Sequence, residues 1–515
     1  MKLSDSFYLF FTCFIALSIN SHARSSSNIG SSRFVKVPLP LFRESLVSTM
    51  ELVQSVASTM SLIHGDIDDN DDDGPNLNVS LPHCAYLLGE TAGVMNWTLS
   101  AINQQYTQGH NKQFYTTGDA ISHARTLLSG SLGSQEMCTQ TLDGTKHFMV
   151  SRRLKQVTTS IYDILDMLQV PRFGPDFSRA TGASLLGSTR FDGVKISQKP
   201  NVIVSQDGKG DFKLIMDAIK EAPSHSTNYF VILVKRGVYH EYVNIDETKS
   251  NLVLMGEGMD VTTISGSKSV RGGQPTFDTA TFAVRALGFI AMDIGFENTA
   301  GQENMQALAV LSSGDRSAFY RCKMTGNQDT LLVQAGRQFF RECNITGTVD
   351  FIFGYGSAVF QKCDIYIKKN PIGGTSVIAA HGRNNPSDPS GFSFHLCTIT
   401  GDPNVVIKDS TNNGAYLGRN WGVYARTVFI DSTISNVLRP EGWLQWQGKG
   451  VDKVYFGEYM NNGPGANAAN RVSWPGCHAR MSRSEADRFT VAKLIDGTSW
   501  LSTVGIPNTM GLDGS

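Results

Sequence analysis

The order of apolar and polar residues divides this chain into a helical front part and a β-rich back part. Between about residues 40 and 168, apolar residues recur at the helical spacing, first in the series Leu41, Leu46, Met50, Val53, Val56 and Met60. Three more stretches with this period cover 81–102, 121–142 and 148–168. Short polar or glycine-containing breaks between them predict an up-and-down four-helix bundle, in which Cys84 and Cys138 could join the second helix to the third.

The back part, from residue 197, repeats a short β-rich segment. The aligned copies are AMDIG (291–295), RCKMTG (321–326), ECNITG (342–347), KCDIYI (362–367), LCTITG (396–401) and DSTIS (431–435). One column of this alignment holds Cys322, Cys343, Cys363 and Cys397. Strands that return after about 20 residues without helical crossovers predict the coils of a parallel β-helix. An antiparallel β-sandwich is the alternative, although it would not need a repeating column.

The beginning of the chain resembles a secretory signal peptide. Lys2 supplies a positive charge, 7–19 is apolar, and Ser21-His22-Ala23 offers small residues for cleavage. A short membrane anchor is the alternative interpretation. Export would permit disulfides and glycans, for which the acceptor motifs begin at Asn78, Asn96 and Asn344. The expected organisation is a signal peptide (1–23), a four-helix region (24–172), a linker (173–198) and a β-helix domain (199–515).

Composition excludes several classes of protein. The chain has 515 residues, with 45 Lys and Arg against 46 Asp and Glu, so it lacks the basic excess of a nucleic-acid-binding protein. The hydrophobic fraction of 41% argues against intrinsic disorder. No run of 18 apolar residues follows residue 20, and we expect no membrane span. The acidic stretch 66–73 imitates part of a calcium loop but has Ser80 at the twelfth position, so we expect a solvated loop and no metal.

Polar residues recur at the length of one predicted coil. Gln306, Gln328 and Asp350 are each 22 positions apart (328 − 306 and 350 − 328), and Asp329 adjoins Gln328. Stacked coils would place the three equally spaced side chains in one vertical row, with Asp329 beside it. Amides and carboxylates that converge on a groove suit catalysis, although polar ladders also stabilise β-helices through hydrogen bonds alone.

These polar residues lie in motifs that closely resemble the pectin methylesterases (pectinesterases) of plants. The motifs are GNQDTLL (326–332), GTVDFIFG (347–354), YLGRNW (416–421), MQALAV (305–310), GVYHEYV (237–243), GWLQW (442–446) and GEYMNNGPGA (457–466). The resemblance covers roughly 199–505. The front part resembles the inhibitor domain that precedes many plant members as a pro-region, most clearly in SLGSQEMCTQTLDG (131–144).

The resemblance implies a right-handed parallel β-helix that hydrolyses the methyl esters of galacturonate in pectin, in the cell wall and without a cofactor. It assigns Asp350 as the nucleophile, Asp329 as the acid and base, and Gln328 and Gln306 as donors to the oxyanion. It also implies that Arg419 pairs with the nucleophile. Further substrate-binding positions are Trp421, Thr276 and Phe353, with Gln306 and Arg419 also near the substrate, and Cys343 with Cys363 is the disulfide that it suggests.

The expected partners are pectin as the substrate and either an intramolecular contact of the front part with the catalytic part or separate inhibitor proteins. A monomer is the default. One rival interpretation is a pectin lyase or glycoside hydrolase, which would need calcium-binding carboxylates or two carboxylates spaced for a glycosidic bond. The other is a wall protein that binds pectin without turnover. A serine esterase of the α/β-hydrolase kind is disfavoured because the chain lacks a GxSxG motif.

Overall fold

The computed structural model describes residues 36–65, 74–107, 120–142, 148–168, 199–402 and 414–512. The predicted signal peptide, the linker and the acidic stretch 66–73 lie outside these residues.

The front part forms a four-helix bundle, as the periodicity predicted. The helices are α1 (Leu39–Gly65), α2 (Gly74–Thr107), α3 (Ala120–Leu142) and α4 (Phe148–Met167). Each packs on the next, and α1 also packs on α4. The predicted disulfide between Cys84 of α2 and Cys138 of α3 is present, with the two Cα atoms 5.5 Å apart.

Helix α1 is long and apolar enough to cross a membrane, by length and composition only. Its Phe42, Leu46 and Val53 are nevertheless fully buried against the apolar side chains of the other three helices. One face of α1 therefore belongs to the core of the bundle.

The back part is a stack of three parallel sheets, as in a right-handed parallel β-helix. Within the described residues, the largest sheet contains β1 (Val202–Val204), β2 (Phe230–Val234), β5 (Leu252–Met255), β8 (Ile290–Met292), β11 (Ser317–Tyr320), β14 (Arg337–Arg341), β17 (Ser357–Gln361), β20 (Gly391–His395), β23 (Arg426–Ile430), β26 (Tyr455–Tyr459) and β27 (Cys477–His478). The second sheet contains β3 (Gly237–Tyr239), β6 (Thr262–Gly266), β9 (Gly295–Asn298), β12 (Lys323–Thr325), β15 (Asn344–Gly347), β18 (Asp364–Ile367), β21 (Thr398–Gly401) and β24 (Thr433–Ile434). The third, called the groove sheet below, contains β4 (Val243–Ile245), β7 (Phe282–Val284), β10 (Val310–Ser312), β13 (Leu331–Val333), β16 (Ile352–Gly354), β19 (Ser376–His381), β22 (Ala415–Arg419) and β25 (Trp443–Leu444).

Short helices close the β-helix. Helix α5 (Ile215–Glu221) places Ile215, Ala218 and Ile219 on the first coils of the core. After the last coil, α6 (Arg483–Asp487), α7 (Val491–Leu494) and α8 (Leu501–Val504) follow. Val491 and Trp500 cover the outer face of the largest sheet. Both the open end of the stack and this apolar face are thereby removed from water.

Identical side chains stack inside the coils. Five phenylalanines form a column with ring centroids 4.5–4.9 Å apart and nearly parallel planes, namely Phe319, Phe340, Phe360, Phe394 and Phe429. Offset stacking of this kind stabilises the core beyond the area that it buries. The cysteine column of the sequence repeat is also present, with all four side chains buried.

The disulfide suggested between Cys343 and Cys363 is wrong, because both residues are free thiols. The register pairs Asn344 with Asp364, so the two cysteines occupy the same position in neighbouring coils and point inward in parallel. Parallel strands lie about 4.8 Å apart, whereas the Cβ atoms of a disulfide are about 3.8 Å apart. Each thiol instead donates to a backbone carbonyl, from Cys343 to Phe319 (3.3 Å) and from Cys363 to Phe340 (3.4 Å).

Candidate active site

Two aspartates stack on each other immediately before neighbouring strands of the groove sheet. Leu331 of β13 pairs with Ile352 of β16, so the register is 21 residues (352 − 331). Asp329 and Asp350 have this same separation, and the Asp329 N–H donates to Val349 O (3.1 Å), as this register requires. The two carboxylates therefore belong to equivalent positions of successive coils, although the sequence spacing alone had placed Asp350 above Gln328.

The prediction of one row of Gln306, Gln328 and Asp350 is wrong by one residue. The Ala307 N–H donates to Gln328 O (3.3 Å), which sets Gln306 beside Gln328. At the start of β10, the backbone N–H groups of both Ala309 and Val310 donate to Thr330 O, at 2.9 and 3.1 Å. This doubling is a β-bulge, which inserts one extra residue into a strand. The preceding coil is thus one residue longer, and the site has two adjacent columns, one of amides and one of carboxylates.

Both aspartates have a left-handed backbone, with φ of 63° at Asp329 and 48° at Asp350. Aspartate is among the few residues other than glycine that adopt this conformation, which still costs about 1–3 kcal/mol. Strain of this kind persists where the surrounding structure holds the residue in place. Here both strained residues lie shortly before the first residues of β13 and β16.

Arg419, the last residue of β22, forms a two-point ion pair with Asp350. Its Nε donates to Oδ1 of Asp350 at 2.8 Å, and its Nη2 contacts Oδ2. Burial raises the pKa of Asp350, and the hydrogen bond and charge of Arg419 oppose this effect. The pKa of Asp329 is raised well above its usual range by burial and then by the neighbouring charge of Asp350. Since only Asp350 has the guanidinium as a direct partner, the shared proton belongs on Asp329.

The two glutamines and Thr276 are less tightly held. Gln306 and Gln328 are half-buried, and the Oε1 atom of Gln306 lacks a hydrogen-bond partner within the described residues. A substrate oxygen or water at this place would meet amide groups rather than charges. Thr276 is half-buried and begins a turn in which the Thr279 hydroxyl donates to its carbonyl oxygen. The neighbouring Phe277 packs in the apolar cluster of the groove sheet with Leu332 and Phe353.

An apolar surface adjoins the carboxylates. Trp421 lies against Phe353, with ring centroids 5.9 Å apart, and against Tyr355, at 4.6 Å. Phe353 in turn packs with Leu332 and Phe277 on the outside of the groove sheet. Flat aromatic and apolar surfaces of this type suit the apolar faces of sugar rings and methyl groups. The structure therefore brings predicted residues Trp421, Phe353, Arg419 and both aspartates to one face.

Comparison with known proteins decides the family. The family model described as Pectinesterase matches residues 201–498. The Prunus persica pectinesterase/pectinesterase inhibitor PPE8B is 41% identical over 92% of this chain and 90% of its own length. The Arabidopsis thaliana protein called probable pectinesterase/pectinesterase inhibitor 32 is 38% identical over 99% of this chain and 98% of its own. The solved pectin methylesterase from carrot has a TM-score of 0.60 and 41% identity, covering 61% of this chain and 99% of that one.

The chain belongs to the pectinesterase family.

As a pectinesterase it is a carboxylic ester hydrolase that acts on pectin, and the lyase, glycosidase and non-enzymatic interpretations are set aside. The match to the carrot enzyme covers almost all of that protein but little more than half of this one. The additional front part is consistent with the names of the two plant relatives, which include a pectinesterase inhibitor.

Sequence reasoning on this pectinesterase missed residues that surround Arg419 and Trp421. The indole of Trp446 lies under the guanidinium of Arg419, 4.0 Å from its carbon to the ring centroid. Lys449 Nζ donates to the carbonyl oxygen of Trp421. Trp446 is part of the motif GWLQW. The number of residues between Arg419 and Trp446 does not indicate that the two side chains meet, because the chain after β25 is an irregular loop.

The helical front part of the pectinesterase lies along one edge of the groove sheet, where the strands end. The Tyr86 hydroxyl of α2 donates to Glu247 after β4 (2.7 Å), and Arg285 after β7 lies over the Tyr86 ring. Arg125 of α3 donates to Ser387 O, in the loop after β19. We call this line of contacts the docking seam, and it runs past the ends of β13 and β16, the two strands that follow the aspartates.

Close packing at the docking seam involves two glycines of α3. A Cβ atom on Gly133 would lie 2.5 Å from Cδ2 of Tyr355, and one on Gly130 would lie 2.6 Å from Cβ of Ala335. Tyr355 is the residue that contacts Trp421. Helix α3 therefore rests on the aromatic wall of the site, and only a residue without a side chain fits at these two positions.

Proposed function

We propose that this pectinesterase hydrolyses the methyl esters of galacturonate units in homogalacturonan, releasing methanol. The observation that carries the proposal is the stacked pair Asp329 and Asp350, of which only Asp350 is held by Arg419. An ester carbonyl needs a nucleophile, a proton for the departing alkoxide and donors for the oxyanion. The ionised Asp350, the protonated Asp329 and the two glutamines supply these three functions.

In the proposed first step, a carboxylate oxygen of Asp350 attacks the ester carbonyl carbon. The negative charge passes to the carbonyl oxygen, to which Gln328 and Gln306 donate through their amides. As the C–O bond to the methoxy group breaks, Asp329 gives up its proton and methanol leaves. The product is a mixed anhydride between Asp350 and the C6 carboxyl of the sugar, and Asp329 is now ionised.

In the second step, Asp329 takes a proton from water and the hydroxide attacks the sugar carbonyl of the anhydride. The anhydride bond breaks, the electron pair returns to Asp350, and the new galacturonate is released. Arg419 favours the ionised form of Asp350 before the attack and again after the anhydride has broken. Trp421 stacks on a sugar ring, and Phe353 and Thr276 line its surroundings.

A direct test is to incubate the purified protein with highly methylated pectin and measure methanol. Methanol together with titratable acid supports the proposal, and a folded protein that yields neither contradicts it. The cleavage of the polymer by a lyase would instead create an unsaturated product that absorbs in the ultraviolet.

The proposal extends to where the enzyme acts. The apolar beginning of the chain and the substrate class of the family support export to the cell wall. Export would also expose Asn96 and Asn344 to glycosylation during passage. Mass determination of the protein from the extracellular fluid of an expressing plant cell tests removal of 1–23 and the addition of glycans together.

We further propose that the docked helical part restricts access of the polymer to the site. The docking seam supports this because α3 contacts Tyr355, and Tyr355 contacts Trp421, the proposed sugar platform. Burial lowers the pKa of Lys449 against the opposing charge of Glu136 of α3, so this helix also faces the loop beside Trp446. A polymer that stacks on Trp421 would meet the helix.

Replacing Gly133 with alanine is expected to raise methanol release by the full chain. The new methyl group would overlap the Tyr355 ring, and overpacking of this kind costs about 1–3 kcal/mol, so docking should weaken by about 5- to 150-fold. The matched control is Gly93→Ala in α2, where an added Cβ meets nothing within 4 Å. Both variants gain the same helix propensity, so equal activities would contradict the role of the docking seam.

The docking seam should loosen as the pH rises. Burial, and then the negative charge of Glu247, raise the pKa of Glu90 in α2 to about 7. The charge of Asp246 also raises this pKa, and the charge of Arg285 lowers it. Tyr86 interacts with both Glu90 and Glu247. Release returns Glu90 to the ordinary value of about 4.3. Since docking raises the pKa of Glu90, the docked state binds one more proton than the released state between the two pKa values. The contribution of Glu90 to docking is therefore complete below about pH 4.3, its ordinary pKa, and is lost as the pH rises past about 7.

Glu90→Gln, which keeps the side chain neutral, is expected to make docking insensitive to pH across this range. The full-length variant should then release less methanol than the unchanged protein in neutral and mildly alkaline buffer, and equal amounts in acid. An unchanged ratio at every pH would show that Glu90 has no part in docking.

A further inference from the structure

The loop that follows β25 is tied to the site by one buried amide. Asn420 lies between Arg419 and Trp421 and is fully buried. Its Oδ1 accepts a hydrogen bond from the backbone N–H of Trp446 (2.7 Å), and its Nδ2 donates to the backbone carbonyl oxygen of Gly450 (2.9 Å). Both ends of the loop 446–450 are thus held by a single side chain.

This loop carries the ring that covers Arg419. The indole of Trp446 is the face on which the guanidinium rests, at 4.0 Å. Within the loop, the backbone N–H of Lys449 donates to Trp446 O (3.0 Å). The side-chain Nζ of Lys449 donates to the carbonyl oxygen of Trp421, outside the loop. The loop is therefore closed on itself and fastened to the strand end on either side of Asn420.

We propose that Asn420 is a positioning residue, which seats Trp446 on Arg419 and so fixes the cation that pairs with Asp350. This inference rests on the proposed role of Asp350 and adds to it a group that touches neither substrate nor nucleophile. A cation over an indole face gains about 0.5–2 kcal/mol, more when water is excluded.

Loss of this arrangement should change the ionisation of the nucleophile. Arg419 lowers the pKa of Asp350 through its hydrogen bond and its charge. A guanidinium that is free to turn toward solvent lowers it less, so Asp350 would take up a proton at higher pH. Because the nucleophile must be ionised, the acid limb of kcat/KM then moves toward neutral pH.

The experiment compares the pH profiles of methanol release by full-length Asn420→Ala and the unchanged protein. We expect the acid limb to move upward by about 0.5–1 pH unit and kcat/KM at its maximum to fall about 3- to 30-fold. The matched control is Asn461→Ala. Asn461 also bridges two backbone segments, because its Oδ1 accepts from Ser432 N and its Nδ2 donates to Phe429 O, both in or after β23 of the largest sheet. It should lower the Tm and leave the acid limb in place.

A second variant tests the route through the indole. Trp446→Leu leaves Asn420 intact and should move the acid limb in the same direction, even where Asn420→Ala does not fold. In the double variant, the effects on the acid limb should not add, because both remove the same contact. Additive effects, or a stability loss in Asn420→Ala with an unmoved acid limb, would overturn the inference. Neither result bears on the proposed chemistry, which is tested separately by methanol release from the unchanged protein and by Asp350→Asn.

Discussion

Asp350→Asn is expected to lower methanol release at least about a thousand-fold, because the amide cannot form the anhydride that the proposed first step requires. Asparagine has the shape of aspartate, can accept the hydrogen bond from Arg419 Nε, and tolerates the left-handed φ of 48°. The variant should therefore fold and still bind pectin. Methanol release, thermal unfolding and retention on immobilised pectin measure the three properties separately.

The matched control for this substitution is Asp293→Asn. Asp293 also has a left-handed backbone, with φ of 51°, and an arginine, Arg321, binds both of its carboxylate oxygens at 2.6 Å. It lies at a coil corner in contact with solvent, away from the groove sheet. Its change should leave activity within about twofold, since surface substitutions change stability little. If Asp350→Asn behaved like this control, the nucleophile would have to be sought elsewhere.

Asp329→Asn is expected to reduce turnover by about a hundred- to ten-thousand-fold, the range that a positioned general acid contributes. Without it, the leaving group departs as methoxide, which is a strong base. In the unchanged enzyme, activity should fall with rising pH as Asp329 loses its proton, at a pH above the ordinary range because burial and Asp350 raise its pKa. A raised pKa keeps the proton on Asp329 over a wider range of pH, so the general acid stays active up to that higher pH.

The pH profile of Asp329→Asn separates a catalytic role from a structural one. The residual activity of the variant should lack the alkaline limb, because the group that titrates there is gone. Its acid limb should stay in place, since Asp329 is still protonated and therefore neutral at the pH where Asp350 ionises. A profile that keeps the alkaline limb of the unchanged enzyme would assign that ionisation to another group.

Much of the fold follows from periodicity. The helical stripes of α1–α4 and the column of Cys322, Cys343, Cys363 and Cys397 are local patterns, and local patterns are what a sequence displays directly. The pair Asp329 and Asp350 could be named from the motifs around them. The bulge at Ala309 and Val310 could not be predicted, because the motifs do not show where an additional residue lies within a coil. The position of that residue nevertheless decides which side chains of neighbouring coils stack.

Contacts between distant segments account for the other differences. The resemblance suggested a disulfide between two cysteines one coil apart, but parallel strands of a β-helix point both thiols in the same direction. Likewise, Asn420 and Trp446 are neighbours only because β22 and β25 pair in the groove sheet and the intervening loop folds back. The docking seam depends on the shape of two complete domains, and Gly133 becomes informative only when Tyr355 is seen beneath it.

The single disulfide among the described residues has an asymmetric position. It joins α2, which contacts Glu247 through Tyr86, to α3, which rests on Tyr355. The β-helix itself contains only free thiols among its described cysteines. Reducing conditions would therefore loosen the helical part and leave the β-helix unchanged, so only one of the two parts of the chain would respond to the redox state of its surroundings.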